Sequence, residues 1–427
     1  MCEVPLPPIR ITPAMMTPRS GPAGRTGGFG YARRMVMTKE GLMSDPLPLA
    51  GIRVLELTLW INGPMGAAVL GRLGAEVIKI ERPNVGDPSR TNEAYNLNKQ
   101  SVTVDLTKPD GQAVLHDLVR HSDVFLTNLR PASLVEMGAD DKTLQAVNPN
   151  LVYAHGTLFG QYGPRPNVPG QNTTATAAAG LLYLNRDDDG TPREIPGTTS
   201  DTHSGTMIAV AALIGLLQRE RNHKAPIVRS TMVGANMWYQ YLPISRYATS
   251  GDLPLPASQR LNNNPLYGRF MCSNGQWFMF TQAVETHKYW PRVCTMLGIQ
   301  TLEHDPRFAT HEARLAHADE LIAVMTPLFA QKTAQEWEKL FTEYELWGTP
   351  INDYKHLIED PEIIENHFIE ETASGQKVVA MPWEVVGAER TPMTMLSALG
   401  ADTADVLGRI CGYDAARIAQ LQAAGTL

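Results

Sequence analysis

Short apolar runs alternate with amphipathic or small-residue segments over residues 48–225. The apolar runs are typical of buried strands, and they lie at 52–57, 76–81, 101–106, 123–129 and 151–159. Segments with helical spacing of apolar residues, or with many small residues, separate them at 62–75, 108–122 and 132–138. Strands and helices that alternate at such short intervals predict an open, doubly wound α/β domain with a Rossmann-like parallel sheet.

Polar and glycine-rich segments follow four of these strands, at 58–64, 81–88, 127–131 and 157–164. In doubly wound sheets, ligands bind beyond the carboxyl ends of the strands. We therefore expect these four segments to line the functional site.

The remaining pattern predicts further parts of the chain. Residues 163–200 are typical of a loop, and an apolar helix rich in small residues is predicted from Asp201 to 217. A Met- and aromatic-rich stretch, 226–262, predicts a helical connector, and 396–427 is helical again. We divide the chain into an N-terminal extension at 1–45, a large domain at 46–225, a linker at 226–264, a smaller α+β domain at 265–385 and a C-terminal segment at 386–427 that returns to the large domain.

The first 45 residues differ in composition from the rest, with several Pro, Gly and Arg and few acidic residues. This composition favours a disordered tail, which an early choice of start codon would also produce. An Arg-rich targeting peptide is the other interpretation.

Composition and charge exclude some classes of partner and setting. The 427 residues are 43% apolar with a net charge of −7, which gives no reason to expect nucleic acid or an anionic membrane as partner. The four cysteines have no CxxC or metal-type spacing, which predicts a reducing, cytoplasmic setting. Every apolar run is shorter than the ~18–20 residues that span a bilayer.

Several catalytic motifs are missing from the sequence. It has no GxGxxG, no GxxxxGK[ST], no GxSxG and no HExxH. A standard dinucleotide or P-loop site, a serine-hydrolase elbow and a zinc-protease site are therefore not expected, and no metal site is predicted.

Asp201 is the acidic residue that stands out, in the stretch GTTSDTHSG at 197–205. Aspartate is a favoured helix N-cap, because its carboxylate accepts backbone N–H groups. The same N–H groups and the positive helix end would hold the carboxylate ionised, and an ionised carboxylate in a cleft is a nucleophile for activated acyl groups. Position alone leaves both interpretations open.

A family resemblance adds to this picture. The segments PLAGIRVLEL, GPMGAAVLGRLGAEVIKIERP, NKQSVTVDLTKPDG, TNLRPASLVEMG, NPNLVYAHGTLFGQYGP and SDTHSG occur in the order seen in class III CoA-transferases. These are relatives of formyl-CoA transferase and carnitine CoA-transferase, a family that also contains α-methylacyl-CoA racemases. Two later segments, DPRFATHEARLAHADELIAVM and WGTPINDYKHLIEDPEI, resemble the second half of the family. The resemblance covers residues 46–427.

The resemblance implies an acyl-CoA:carboxylate CoA-transferase that works as an interlocked homodimer. It places the catalytic aspartate at Asp201, which would form an acyl-aspartyl anhydride and then an aspartyl-CoA thioester. CoA thioesters would be substrates, with no permanently bound cofactor and no ATP. The positions that the resemblance and the strand ends together assign to CoA and the acyl group are Ile61, Asn62, Arg82, Val104, Asp105, Thr107, Asn128, Leu129 and Gly160. Arg82 suits a CoA phosphate, because a guanidinium forks onto phosphate oxygens. Amides at the helix end and around Gly160 are expected to steady an oxyanion.

This chain departs from the family pattern at several positions. Ile61 replaces a polar residue near the acyl group, and Glu136 replaces a basic CoA contact. The segment 170–172, Gly-Gln-Asn, stands where relatives carry an acidic or His-Asp pair, and the missing His argues against racemisation. The segment QRLNNNPLYGRF, at 259–270, replaces a glycine-rich loop.

Two other functions stay open. One is an isomerase with Asp201 as base and His155 or His203 as its partner, and the other is a non-catalytic CoA-binding subunit of a heteromeric transferase. The acid pair is not identified. Succinyl-CoA is the donor expected from the family, and the stretches 232–247 and 276–290 are either core or the pocket of a hydrophobic or aryl acid.

Overall fold

A computed structural model describes residues 46–256, 264–284, 286–388 and 392–427, together with the backbone of two short strands, β1 (Val36–Met37) and β2 (Met43–Ser44). The prediction of a disordered extension at 1–45 lies outside the described residues, apart from those two strands.

Eleven further strands follow: β3 (Arg53–Leu57), β4 (Glu76–Glu81), β5 (Lys99–Thr103), β6 (Val124–Thr127), β7 (Val152–Thr157), β8 (Ile227–Thr231), β9 (Tyr267–Met271), β10 (Trp277–Thr281), β11 (Gly348–Pro350), β12 (Ile369–Glu371) and β13 (Lys377–Val379).

The helices of the described residues are α1 (Asn62–Arg72), α2 (Glu93–Asn96), α3 (Pro109–Arg120), α4 (Pro131–Glu136), α5 (Asp141–Val147), α6 (Asn172–Ala178), α7 (Leu181–Leu184), α8 (Thr199–Asn222), α9 (Met232–Tyr239), α10 (Tyr241–Ser250), α11 (Thr286–Leu297), α12 (His311–Ala316), α13 (Ala318–Phe329), α14 (Ala334–Glu343), α15 (Tyr354–Glu359), α16 (Pro361–Glu365), α17 (Thr403–Cys411) and α18 (Ala415–Ala423), with a 3₁₀ turn at Gln300–Leu302. Within this described part, no helix is both long and apolar enough to cross a membrane.

Six parallel strands form the main sheet, in the order β5-β4-β3-β6-β7-β8. Successive residues of a strand face opposite sides of a sheet, and each side has its own core. Leu55 and Phe125 pack under α3 and α17, whereas Val54 and Val124 pack under α1 and α8. Helices therefore cover both faces, and the predicted α/β fold with a doubly wound parallel sheet is confirmed.

The strand order reverses between β3 and β6. The chain runs outward from β3 through β4 to β5, then returns to β6 and continues in the other direction. The loops after β3 and β6 therefore diverge and leave a crevice at the carboxyl ends of the strands, the usual ligand position in this class of fold.

A second core lies in the later part of the chain. The strands β11, β10 and β9 form an antiparallel sheet, and its apolar face packs on α11, α13 and α14. Phe278 and Phe280 alternate with exposed or half-buried residues along β10, which is the pattern of a sheet with one covered face. The hairpin β12–β13 instead bonds to the large domain, where the Arg72 guanidinium reaches Glu370 and the Val379 carbonyl.

The C-terminal segment packs on the main sheet. Val406, Leu407 and Leu421 belong to the core beneath β3, β4 and β5, and the Asp402 carboxylate accepts the Ser101 N–H at 2.7 Å. The domain limits assigned from sequence stay a prediction.

Three expectations about secondary structure were wrong. The sixth strand of the main sheet, β8, lies in the predicted linker. Its short sequence, IVRST, was not recognised as a strand because a long Met- and aromatic-rich stretch with a helical pattern follows it. Helices α6 and α7 lie in the predicted loop 163–200, because their threonines and alanines give only a weak apolar pattern. The strand predicted at 101–106 is β5, which begins at Lys99 and ends at Thr103. Its start was missed because Lys99 is buried but charged, so it adds nothing to the apolar pattern.

Candidate active site

A cleft of about 320 Å³ opens at the carboxyl ends of β3, β4 and β5. Most of its wall is apolar, and Arg82 is the basic residue in it. Its lining residues are Leu57, Thr58, Leu59, Ile80, Glu81, Arg82, Val85, Gly86, Asp87, Pro88, Val104, Asp105, Leu106, Thr107, Leu129 and Met137. Five residues assigned from sequence, Arg82, Val104, Asp105, Thr107 and Leu129, thus meet at one cleft.

Arg82 and Asp105 give this cleft its charges. Arg82 is exposed, and among the described residues its guanidinium has no hydrogen-bond or ion-pair partner, although its charge acts on Asp105. The Asp105 carboxylate accepts the Thr107 hydroxyl at 2.6 Å and the Thr107 N–H at 3.1 Å, and these bonds hold the pKa of Asp105 below its ordinary value. Arg82 is therefore available to an anionic ligand, while Asp105 is tied into a turn.

Two asparagines assigned to substrate binding, Asn128 and Asn62, have side chains that are hydrogen-bonded to other groups of the protein. The Asn128 amide accepts the Leu59 N–H at 3.0 Å and donates to the Leu59 carbonyl at 2.8 Å, which clamps the loop after β3. The Asn62 amide is buried and donates to the Ser204 hydroxyl of α8. Both side chains shape the site instead of facing its opening.

Ile61 and Gly160 lie in the loops after β3 and β7. Ile61 is the residue before the first turn of α1, and its carbonyl accepts the Met65 N–H at 2.8 Å. Gly160 has a φ of +106°, a backbone conformation that L-residues with a side chain rarely adopt. Neither residue lines the cleft that holds Arg82.

Asp201 is the third residue of α8, and the residue before the helix is Thr198. Of the two interpretations left open from sequence, the one in which Asp201 is the N-cap of the helix is wrong. Its carboxylate accepts no hydrogen bond from the described residues, and burial raises its pKa from 3.8 to about 6. At neutral pH most of this carboxylate is ionised and has no partner in the described part of the chain.

The N–H groups at the start of α8 are bound by Asn172, a residue of α6. Its Oδ1 accepts the Ser200 N–H at 3.0 Å and the Asp201 N–H at 3.2 Å. These two amides are therefore not available to an oxyanion, contrary to the expectation for the helix end. Sequence reasoning noted Asn172 as a departure from the family but missed this role, which depends on a contact across 29 residues of sequence.

A buried cluster of charges lies beneath the loop after β3. Lys79 pairs with Glu56 at 2.8 Å and Asp87 at 2.9 Å, and Lys99 pairs with Glu56 at 2.8 Å. Burial opposes the charge of Glu56, but the two lysines hold its pKa below the ordinary value. Burial lowers the pKa of Lys99 to about 8. Sequence reasoning missed this cluster, because Glu56, Lys79 and Lys99 lie in strands, where alternation predicts only side-chain direction, and Asp87 lies in the loop after β4.

The cluster fixes the conformation of Trp60. The Asp87 carboxylate accepts the Trp60 N–H at 3.0 Å, and the Ser89 hydroxyl donates to the Trp60 carbonyl. Trp60 has a φ of +67°, which is uncommon for a bulky residue and persists only where surrounding contacts impose it. The loop between the cleft and α1 is thus held by buried charges.

Comparison with known proteins identifies the family of this chain. The family model described as CoA-transferase family III matches residues 49–403. The chain is 31% identical to succinyl-CoA--D-citramalate CoA-transferase of Chloroflexus aurantiacus, over 75% of this chain and 82% of that protein. It is 28% identical to succinyl-CoA:glutarate CoA-transferase of Mus musculus, over 89% of this chain and 90% of that one.

The chain belongs to CoA-transferase family III. It is an enzyme of the transferase class, and the relatives above act in CoA transfer between acyl-CoA and acids. The crystal structure of an aspartate-to-alanine mutant of Rv3272 from Mycobacterium tuberculosis superposes with a TM-score of 0.73 at 29% identity, over 85% of this chain and 99% of that one. The family resemblance stated from sequence is confirmed.

The two histidines named for the isomerase alternative, His155 and His203, both lie within hydrogen-bond distance of backbone carbonyls. His155 Nε2 lies 2.8 Å from the Leu129 carbonyl, and burial lowers the pKa of His155. His203 Nε2 lies 3.1 Å from the Ala235 carbonyl. Of the segment compared with the glycine-rich loop of the family, residues 259–263 lie outside the described residues, and 264–270 lead into strand β9.

Proposed function

We propose that this chain is an acyl-CoA:carboxylate CoA-transferase in which Asp201 is the covalent nucleophile. The observation that carries the proposal is the state of the Asp201 carboxylate. It is largely buried, it has no partner in the described residues, and burial alone raises its pKa to about 6. A carboxylate that is ionised at neutral pH but poorly stabilised by its surroundings is a better nucleophile than an ordinary surface aspartate.

The first half-reaction moves CoA from the donor acyl group to the Asp201 carboxylate and releases the donor acid. An Asp201 oxygen attacks the thioester carbon, and the C–S bond breaks as the tetrahedral intermediate collapses. CoA leaves as the thiolate, and an acyl-aspartyl anhydride remains. The thiolate then attacks the Asp201 carbonyl, so that the donor acid leaves and an aspartyl-CoA thioester forms. No proton is transferred in either step, and no ATP is consumed.

The second half-reaction reverses these steps with the acceptor acid. The acceptor carboxylate attacks the aspartyl thioester and releases the CoA thiolate, which gives a second anhydride. The thiolate attacks the acceptor side of that anhydride, which releases the new acyl-CoA and restores the Asp201 carboxylate. The named relatives use succinyl-CoA with citramalate or glutarate, so we propose succinyl-CoA as the first donor to test.

CoA is proposed to occupy the cleft at the strand ends. The unpaired Arg82 guanidinium would bind a CoA phosphate, and the apolar wall with Val104 and Leu129 would contact the adenosine or pantetheine part. Amides around Gly160 would face the oxyanion. Scattered free thiols at Cys272, Cys294 and Cys411 fit a reducing compartment, and we propose the cytoplasm.

Replacing Arg82 tests the placement of CoA. Arg82→Gln removes the charge-assisted hydrogen bond from the guanidinium to the CoA phosphate, which is worth about 1.5–3 kcal/mol. The variant should therefore bind CoA roughly tenfold more weakly, or worse. The measurement is titration calorimetry with CoA. Lys142→Gln, which removes the same charge outside the cleft, is the control. Equal affinity of Arg82→Gln and the native protein would contradict the placement.

The covalent step is tested by intact-protein mass spectrometry. The protein is incubated with a panel of acyl-CoAs, with and without hydroxylamine, and compared with Asp201→Asn. We expect a CoA or hydroxamate adduct that maps to Asp201 and is missing in the variant. No adduct together with deuterium exchange at an α-carbon would establish the isomerase. CoA binding without either reaction would establish the non-catalytic subunit.

A further inference from the structure

The Asn172 side chain bridges three backbone groups at the start of α8. Its Oδ1 accepts the N–H groups of Ser200 and Asp201, and its Nδ2 donates to the Gly197 carbonyl at 3.0 Å. The two donors and the acceptor fix which end of the amide is oxygen. Asn172 is buried, and it begins α6, where the Gln171 side chain accepts the Thr173 N–H.

The helix itself supplies no side-chain cap. Thr198 precedes α8, but its hydroxyl lies 3.1 Å from the Tyr95 hydroxyl and 3.2 Å from the Thr202 hydroxyl instead of bonding a backbone N–H. An aspartate in the first turn of a helix readily bonds to free N–H groups at that end. Asn172 occupies the N–H groups that the Asp201 carboxylate would otherwise bind.

We propose that Asn172 is a positioning residue for Asp201: its amide caps α8 from a neighbouring helix and so leaves the Asp201 carboxylate free to attack the thioester. This inference rests on the proposed function. Asn172 touches no reacting atom. It acts by keeping the nucleophile from folding back onto its own helix, where two N–H bonds would stabilise the carboxylate and turn it away from the substrate.

The other polar side chains at this end of α8 bond to groups other than the N–H groups that Asn172 caps. Tyr95 reaches the helix only through Thr198, and His203 bonds to the Ala235 carbonyl of α9. On α1, Asn62 bonds to Ser204, and Asn236 of α9 bonds to the Ser200 hydroxyl at 2.6 Å. None of these groups is hydrogen-bonded to the Asp201 carboxylate.

Two substitutions of Asn172 should shift the pH profile in opposite directions. In Asn172→Ala the freed N–H groups attract the Asp201 carboxylate, so its pKa falls from about 6 toward the ordinary 3.8. In Asn172→Asp the bonds from the Ser200 and Asp201 N–H groups are kept and the donation to the Gly197 carbonyl is lost, while a second carboxylate lies beside Asp201 and raises the pKa of Asp201 further. The Asn172→Ala shift is the deciding result, because a role that is only structural would change stability and leave that profile at the native position, whereas the charge of Asn172→Asp acts on Asp201 in either case.

The experiment measures the rate of Asp201 adduct formation from pH 4.5 to 8.5, by quenched mass spectrometry over a range of acyl-CoA concentrations that gives both the limiting rate and the KM. Asn172→Ala should slow adduct formation by roughly tenfold to a hundredfold and shift the profile to lower pH, with little change in the KM for acyl-CoA. Asn172→Asp should shift the profile to higher pH. Gln171→Ser, which keeps the cap of α6 and does not contact α8, should match the native profile.

The results separate failure of this inference from failure of the proposed function. If the native protein forms no Asp201 adduct, the covalent mechanism is wrong, and an NMR titration of Asp201 in the same variants still tests the role of Asn172. If the native protein forms the adduct and both Asn172 variants keep its rate and profile, the inference is wrong. Should Asn172→Ala fail to fold, Asn172→Ser, whose shorter side chain also removes the amide, takes its place, and a native rate and profile for that variant would equally overturn the inference.

Discussion

At the scale of single residues, catalysis and stability make opposite demands on Asp201. Folding buries a carboxylate that the described residues neither pair nor hydrogen-bond, and this raises its pKa to about 6. The ionised form is therefore less stable in the folded protein than in the unfolded chain, where the pKa is near 3.8. This cost is fully present above pH 6 and disappears below pH 3.8.

Asp201→Asn should therefore stabilise the protein at pH 8. We expect its free energy of unfolding to exceed that of the native protein by about 1–2 kcal/mol, a value reduced for partial exposure of the side chain. Below pH 4 the difference should vanish, because the native carboxyl group is then protonated in both states. Urea unfolding at the two pH values measures this, and a less stable variant at pH 8 would contradict the account.

At the scale of elements, two glycines set the distance between α1 and α8. A Cβ added to Gly205 would lie 2.5 Å from the Asn62 carbonyl oxygen, and one added to Gly66 would lie 3.0 Å from the Gly205 carbonyl oxygen. Backbone atoms cannot move aside as flexible side chains do. The close packing thus holds the helix of Asp201 against the helix that follows the cleft loop.

Gly205→Ala should force these helices apart. The expected loss is about 1–3 kcal/mol in the free energy of unfolding, with a fall in transferase activity because α8 carries Asp201. The matched control is Gly408→Ala in α17, where the added Cβ meets its nearest neighbour at 3.5 Å. That change should be neutral or stabilise by about 0.4–1 kcal/mol. Equal stability of the two variants, measured by thermal unfolding, would argue against close packing.

Sequence patterns predicted the elements whose apolar residues are regular, and missed those built on polar contacts. The runs at β3, β4, β6 and β7 were found because both faces of a parallel strand are buried. Strand β8 and helix α6 were not, since their residues are largely polar or small.

The candidate site was predictable to the same extent. Strand ends and family segments brought Arg82 and Leu129 to one cleft. The capping of α8 by Asn172 and the pairing of Lys79 with Glu56 and Asp87 depend on contacts between distant residues, which no local pattern contains.

At the scale of the whole molecule, an exposed apolar surface on α9 and α10 suggests a partner. We call it the aromatic patch, and its members are Met237, Trp238, Tyr239, Tyr241, Leu242 and Tyr247. Trp238 is 65% exposed and Leu242 is 74% exposed in the single chain. Exposed large apolar side chains concentrated on one element pair favour an interaction site, and we propose that this one is covered in the homodimer that the family resemblance implies.

The dimer proposal predicts a particle of twice the 46.9 kDa chain mass in size-exclusion chromatography with light scattering. The double variant Tyr241→Asp, Leu242→Asp places two charges in the aromatic patch and should yield monomers with reduced activity. Tyr354→Asp, at an exposed tyrosine elsewhere, should remain dimeric. A native protein that runs as a fully active monomer would contradict the proposal.

The central claim is that the acid exchange passes through the Asp201 carboxylate, and oxygen labelling tests it most directly. In the proposed sequence the departing donor acid takes an oxygen from Asp201, and the acceptor acid then leaves one of its own oxygens on Asp201. A first turnover with an acceptor acid labelled with ¹⁸O in both carboxylate oxygens should therefore add 2 Da to the Asp201 peptide, and repeated turnover should add up to 4 Da. The donor acid released in later turnovers should carry one ¹⁸O. An unlabelled donor acid and an unchanged Asp201 peptide after many turnovers would contradict the account.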